Sequence, residues 1–157
     1  MQAHWWDVIP RKREAAEVVL LDELGRSLIV QNSWNDQWTL PGGALAHDES
    51  PRHGAEREIK EELGLDIRVR RLLVVDWEPP TDELPIDGLM SLFDGGTIDA
   101  DQIARIRLQH SEVRAYQFAA PDDFQTLLPA NLARRLLAAL TAKEHETTLY
   151  LENGYQR

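Results

Sequence analysis

Apolar positions in this chain cluster into short continuous runs over its first third and into helical spacing at two later places. Residues 15–21 and 27–30 are two such runs. The polar stretch Asp22-Glu23-Leu24-Gly25-Arg26 between them reads as a hairpin loop in which Gly25 supplies a positive φ. Residues 32–37 are polar and loop-like, and Trp38-Thr39-Leu40 then runs into Pro41-Gly42-Gly43, a change of chain direction. A helix is predicted over 51–63, with Ser50 as N-cap, Pro51 in the first turn and Gly64 as the stop. Residues 67–77 are rich in Val and Leu and predict a strand ended by Pro79-Pro80; 89–93 and 113–118 predict two more. A C-terminal helix is predicted over about 129–142, with Leu132, Ala133, Leu136, Leu137 and Leu140 on one face. After it, the alternation of Leu149 and Leu151 in 147–154 suits either an edge strand or a contact with a second subunit. Strands mixed with two helices point to a layered α/β domain.

On a helical wheel the 51–63 segment separates into three faces. Ala55, Ile59 and Leu63 form a core stripe. Glu58, Glu61 and Glu62 share an adjacent arc, because spacings of three and four are neighbours, while Glu56 and Lys60 are placed to pair in solvent. Three glutamates on adjacent turns repel one another unless a cation compensates. Hard divalent ions such as Mg²⁺ and Mn²⁺ take oxygen ligands of this kind, together with substrate phosphates. Gly54, one turn before Glu58, leaves room for a ligand or backbone. Gly42-Gly43 offers a turn whose carbonyl reaches the same place, and Arg57 is placed to pair with Glu49 and fix the loop against the helix. The competing reading is a solvated acidic helix face.

Composition narrows the picture. The 157 residues, 43% of them hydrophobic, suit one domain with a core. A formal net charge of −10 argues against sequence-independent nucleic-acid binding, and a polyanionic substrate would need metal ions or a few basic side chains. No cysteine is present, which removes disulfides, thiolate zinc sites and cysteine nucleophiles. No run approaches the roughly 20 apolar residues that cross a bilayer, and residues 1–14 lack a signal-peptide pattern. The expectation is a soluble cytoplasmic protein with a small-molecule substrate and neither nucleic-acid nor membrane partners.

The acidic run does not stand alone. Gly43, Glu49 after five residues, and Arg57-Glu58-Ile59-Lys60-Glu61-Glu62-Leu63-Gly64-Leu65 after seven more match every defined position of the Nudix box over 43–65. A chance match in a chain of this length is on the order of 10⁻⁸ to 10⁻⁷. The sequence resembles the Nudix hydrolases over most of its length, with residues 15–30 similar to the family's first hairpin. The resemblance implies a Nudix-type α/β/α sandwich, a central mixed β-sheet flanked by helices, as a single domain over 1–157. It implies Mg²⁺- or Mn²⁺-dependent hydrolysis of a nucleoside diphosphate linked to another moiety. By position it implies Glu58, Glu61, Glu62 and the Gly43 carbonyl as metal ligands, Glu49 and Arg57 as an orienting pair, and often a homodimer.

The general base stays open between Glu58, Glu61 and Glu112, the last lying just ahead of the 113–118 strand, where a plain surface charge is the alternative. Substrate stays open too: an ADP-ribose- or sugar-nucleotide-like compound, a nucleoside triphosphate (oxidised ones included), or a nucleotide bound without turnover. Trp34, Trp38 and Trp77 suit either a base-stacking platform or core packing. Arg11, Lys12 and Arg13 suit a terminal phosphate or plain solvated charge, and His47, His53 and His110 lack zinc-site spacing.

Overall fold

The computed structural model describes residues 4–157, so the first three residues of the N-terminal segment lie outside the description. After a single 3-10 turn, Trp5–Val8, come β1 (Arg13–Leu21), β2 (Ser27–Asn32), β3 (Trp38–Thr39), β4 (Gly42–Ala44), α1 (Pro51–Leu63), β5 (Leu72–Glu78) and β6 (Gly88–Thr97). Then follow α2 (Ala100–Ala104), β7 (Val113–Ala119), α3 (Phe124–Leu127), α4 (Ala130–Glu144), β8 (Leu149–Glu152) and β9 (Tyr155–Gln156). The sheet is mixed, in the order β3-β2-β1-β6-β5-β8-β9, with β4 attached to β1 and β7 to β2. β1 runs parallel to β6 and β5 parallel to β8; the other pairs are antiparallel.

Strand β1 shows why the sheet is a middle layer. Ala16, Val18 and Leu20 pack with Ala55, Ile59 and Leu63 of α1, whereas Val19 packs with Leu132, Leu136 and Ala139 of α4. Burial of both faces explains a continuous apolar run where a surface sheet would alternate. The predicted hairpin closes through residues 22–26, with Gly25 at φ 75°, yet β1 and β2 pair only at Leu21 and Ser27. Beyond that point they diverge, β1 toward β6 and β4 and β2 toward β7 and β3. This divergence opens the end of the sheet where β4 and the start of β7 sit.

Helix α1 has the predicted ends: Ser50 Oγ accepts from the His53 amide at 3.3 Å, and Gly64 stops the helix at φ 70°. Three expectations need correction. The strand expected from residue 67 begins at Leu72, because the preceding backbone bonds to α1 side chains: the Val69 amide donates to Glu56 Oε1 at 3.0 Å and Arg52 donates to the carbonyls of Val69 and Arg70. For the same reason Glu56 is not the partner of Lys60, which pairs with Asp66 at 2.7 Å. On α4, Leu137 is exposed, and Arg135 and Ala139 occupy the buried face with Leu132, Ala133 and Leu136. The tail forms β8 on β5, the edge-strand alternative. Among the described residues, no helix is long and apolar enough to cross a membrane.

Candidate active site

The site is built where β4 lies on β1. Gly42 and Gly43 sit opposite Glu17 and Ala16. A Cβ on Gly42, at φ 139°, would stand 2.3 Å from the Ala16 carbonyl oxygen and 2.6 Å from Glu17 Cα, so only glycine allows this approach. A Cβ on Gly43 would stand 2.7 Å from Glu58 Oε1, so the missing side chain is the space into which Glu58 reaches. Gly43→Ala is therefore expected to fold, since Glu58 can swing aside, but to lose at least ~10-fold in turnover. Gly42→Ala meets backbone on both counts and is expected to cost more than about 3 kcal/mol. Thermal unfolding beside an activity assay separates the two outcomes. Gly54 does not keep space for a ligand: Leu45 Cδ2 and the Glu49 carboxylate already fill it.

Glu58, Glu62 and Glu112 each place a carboxylate oxygen within 4.8 Å of the other two. Glu58 and Glu62 are buried, and Glu112 enters from the turn ahead of β7, where its carbonyl accepts the Ser33 amide at 2.9 Å. Burial pushes the Glu62 carboxyl up to about 8, against a 2.9 Å bond donated by the Gly42 amide, and the charges of Glu58, Glu112 and Glu17 add to the rise. Glu58 is raised as well, first by burial, with Arg57 opposing. Glu61 is not drawn into the trio. Its side chain is 45% exposed and accepts from Arg57 Nη1 at 2.8 Å.

Arg57 and Glu49 form the expected pair, fork to fork: Nε to Oε1 at 2.8 Å and Nη2 to Oε2 at 2.9 Å. Bonds from Arg57, then from the Ala46 amide, hold the Glu49 carboxyl down at about 2. Nη1 also donates to Glu58 at 2.9 Å, and Nη2 to the Ala44 carbonyl at 3.2 Å, so one side chain ties the loop, the helix and two site carboxylates together.

The remaining sequence candidates scatter. Trp34 is exposed in the turn after β2, Trp38 packs against the α4-side core, and Trp77 donates its indole N–H to Asp87 at 2.7 Å. Lys12 and Arg13 are engaged by Asp87 and Glu78 respectively, and His47 and His53 lie exposed. Sequence reasoning missed Glu17 and Arg135, which bond to each other on the α4 side of the sheet.

The donor set suits a hard divalent cation. All the donors are oxygen, two are desolvated like charges, and their mutual repulsion has no cation other than Arg57 among the contacts described. Comparison with known proteins decides the family: the NUDIX domain model matches residues 11–140. The chain belongs to the NUDIX family. It is 31% identical over 122 residues to a MutT-like protein of Streptomyces ambofaciens, covering 78% of this chain and 73% of that one. The NUDIX fold recurs in a solved UDP-X diphosphatase, with TM-score 0.71, 21% identity and coverage of 92% of this chain and 68% of the other. It also recurs in an ADP-ribose pyrophosphatase from Streptococcus suis, with TM-score 0.63, 23% identity and coverage of 90% and 99%. The protein is thus a Nudix-type pyrophosphohydrolase.

Proposed function

We propose that the protein hydrolyses the diphosphate linkage of a nucleoside diphosphate derivative, of ADP-ribose or sugar-nucleotide type, with Mg²⁺ or Mn²⁺ held by Glu58, Glu62 and Glu112 beside the Gly43 carbonyl. The observation that carries this reading is the convergence of those carboxylates within 4.8 Å, one of them from outside the helix. The names of the two structural neighbours supply the substrate class. Once bound, a divalent cation supplies positive charge against the phosphate chain and makes nearby water more acidic. Arg57 holds Glu58 and Glu61 in register with the loop, and Glu62 is kept in place by the Gly42 amide. Glu61, at the exposed rim, accepts a proton from the attacking water. A new P–O bond then forms as the bridging P–O bond breaks and the electron pair leaves on the bridging oxygen.

A panel of sugar nucleotides, dinucleotides, ADP-ribose and triphosphates, each with Mg²⁺ and Mn²⁺, tests the assignment. The expected result is metal-dependent release of a nucleoside monophosphate from a diphosphate derivative, with ¹⁸O from water in one product. Preferred release of pyrophosphate from triphosphates would move the substrate class. Nucleotide binding without any product would replace catalysis by a sensing role.

A further inference from the structure

On the face of the sheet opposite α1, an ion network fills the centre of the α4 interface. Arg135 is 2% exposed and lies among Leu132, Leu136 and Ala139. It donates to Asp76 of β5 at 2.8 Å, to Glu17 of β1 at 3.1 Å, and to Glu78 of β5. Arg13 approaches Glu78 at 3.5 Å, and the Gly154 amide donates to Asp76 at 3.0 Å. As a device for stability alone this is expensive, because desolvating ions costs about as much as their pairing returns, and apolar residues of similar volume serve as well or better. Its position suggests another use. Glu17 is the residue directly opposite Gly42, and Gly42 is the donor to Glu62.

We propose that Glu17, anchored by Arg135, is a positioning residue for the carboxylate trio on the far side of the sheet. It lies in register with the Gly42 backbone that holds Glu62 and adds a buried negative charge to the field in which the divalent cation would sit. The packed sheet between them is a poor dielectric without mobile salt, so the charge of Glu17 is weakly screened at the site. Arg135 has a double part. It opposes the burial that pushes the Glu17 carboxyl up, and it holds the carboxylate at one place on the α4 side of β1.

This inference rests on the metal-site reading, and its test keeps the two apart. Mn²⁺ affinity is measured by electron paramagnetic resonance on the whole protein, with thermal unfolding alongside. Glu17→Gln keeps an acceptor for Arg135 and removes only the charge. It is expected to weaken Mn²⁺ binding by about three- to tenfold with little change in Tm. Leu136→Ala, at the same interface without a charge, is expected to lower Tm and leave Mn²⁺ affinity within about twofold of wild type. An unchanged affinity in Glu17→Gln, or an equal loss in Leu136→Ala, overturns the proposal while leaving the metal site standing. A wild-type protein that binds no Mn²⁺ overturns both.

Discussion

Glu62→Gln is expected to lower turnover by at least about 10²-fold while making the metal-free protein more stable. The two effects share one cause. Glu62 is a buried carboxylate beside Glu58 and Glu112, and its ionised form is disfavoured until a cation arrives. Removing the charge removes a ligand, and metal stabilisation of developing charge in phosphoryl transfer is worth several kcal/mol. The same change relieves repulsion in the free protein. Gln keeps an oxygen for the Gly42 amide, so the loop stays tied.

The pH dependence carries a sign. The folded pKa of Glu62, about 8, stands above its ordinary value of 4.5. Its contribution to folding is therefore complete below about 4.5 and is lost as pH rises through about 8. In the presence of a chelator, wild-type protein is expected to lose of the order of ~2–4 kcal/mol of stability over that window, and Glu62→Gln much less. Denaturant melts at several pH values, with and without metal, check it. A Glu62→Gln protein with near-normal turnover would refute the role assigned to this residue.

Arg57→Lys is expected to cost about 10- to 100-fold in turnover with a smaller change in KM. Lysine keeps the charge but has no planar fork, and the fork is what lets one residue grip both oxygens of Glu49 while holding Glu58, Glu61 and the Ala44 carbonyl. Loss of the grip frees the loop that carries Gly43 and releases Glu61 from its place at the rim. The clamp also has an acid limit. Glu49 is held down at about 2, so its share of folding stability is present above about 4.5 and lost as pH falls toward about 2. In Arg57→Lys the loss is expected to begin nearer the ordinary carboxylate range. Steady-state kinetics, paired with acid unfolding followed by circular dichroism, provides both readings. Wild-type kinetics in this variant would contradict the clamp.

Helix α1 was legible in the sequence because its signals are local. A serine cap, a first-turn proline, a glycine stop and an apolar stripe at i, i+4 spacing all lie within the segment itself. The Arg57–Glu49 pair and the placing of the Gly42-Gly43 turn beside the acidic arc were legible in the sequence. What was not legible depends on distant parts of the chain. Residues 67–71 carry a strand-like apolar pattern, yet the Val69 amide and the carbonyls of Val69 and Arg70 bond to α1 side chains, which no periodicity reports. Glu112 was named from its place ahead of the 113–118 strand, but its meeting with Glu58 and Glu62 depends on β7 pairing with β2, more than eighty residues away, and on the Arg107 and Gln109 amides bonding the carbonyls of Leu63 and Glu62. The α4 face was misjudged for a different reason. Leucine was preferred over arginine as a buried residue at positions 135 and 137, whereas three carboxylates on β1 and β5 make the buried arginine favourable. The warning signal was present: Arg135 is spaced i+3 from Leu132 and i−4 from Ala139, which places a charge on an apolar stripe.

The central claim is that Glu58, Glu62 and Glu112 together hold a divalent cation against a phosphate chain. A crystal soaked in Mn²⁺ and read by anomalous scattering measures this directly. An anomalous peak between those three carboxylates, in contact with the Gly43 carbonyl, is the predicted result. A trio with no peak, its carboxylates still bonded only to Arg57, Gln109 and the Gly42 amide, would contradict it.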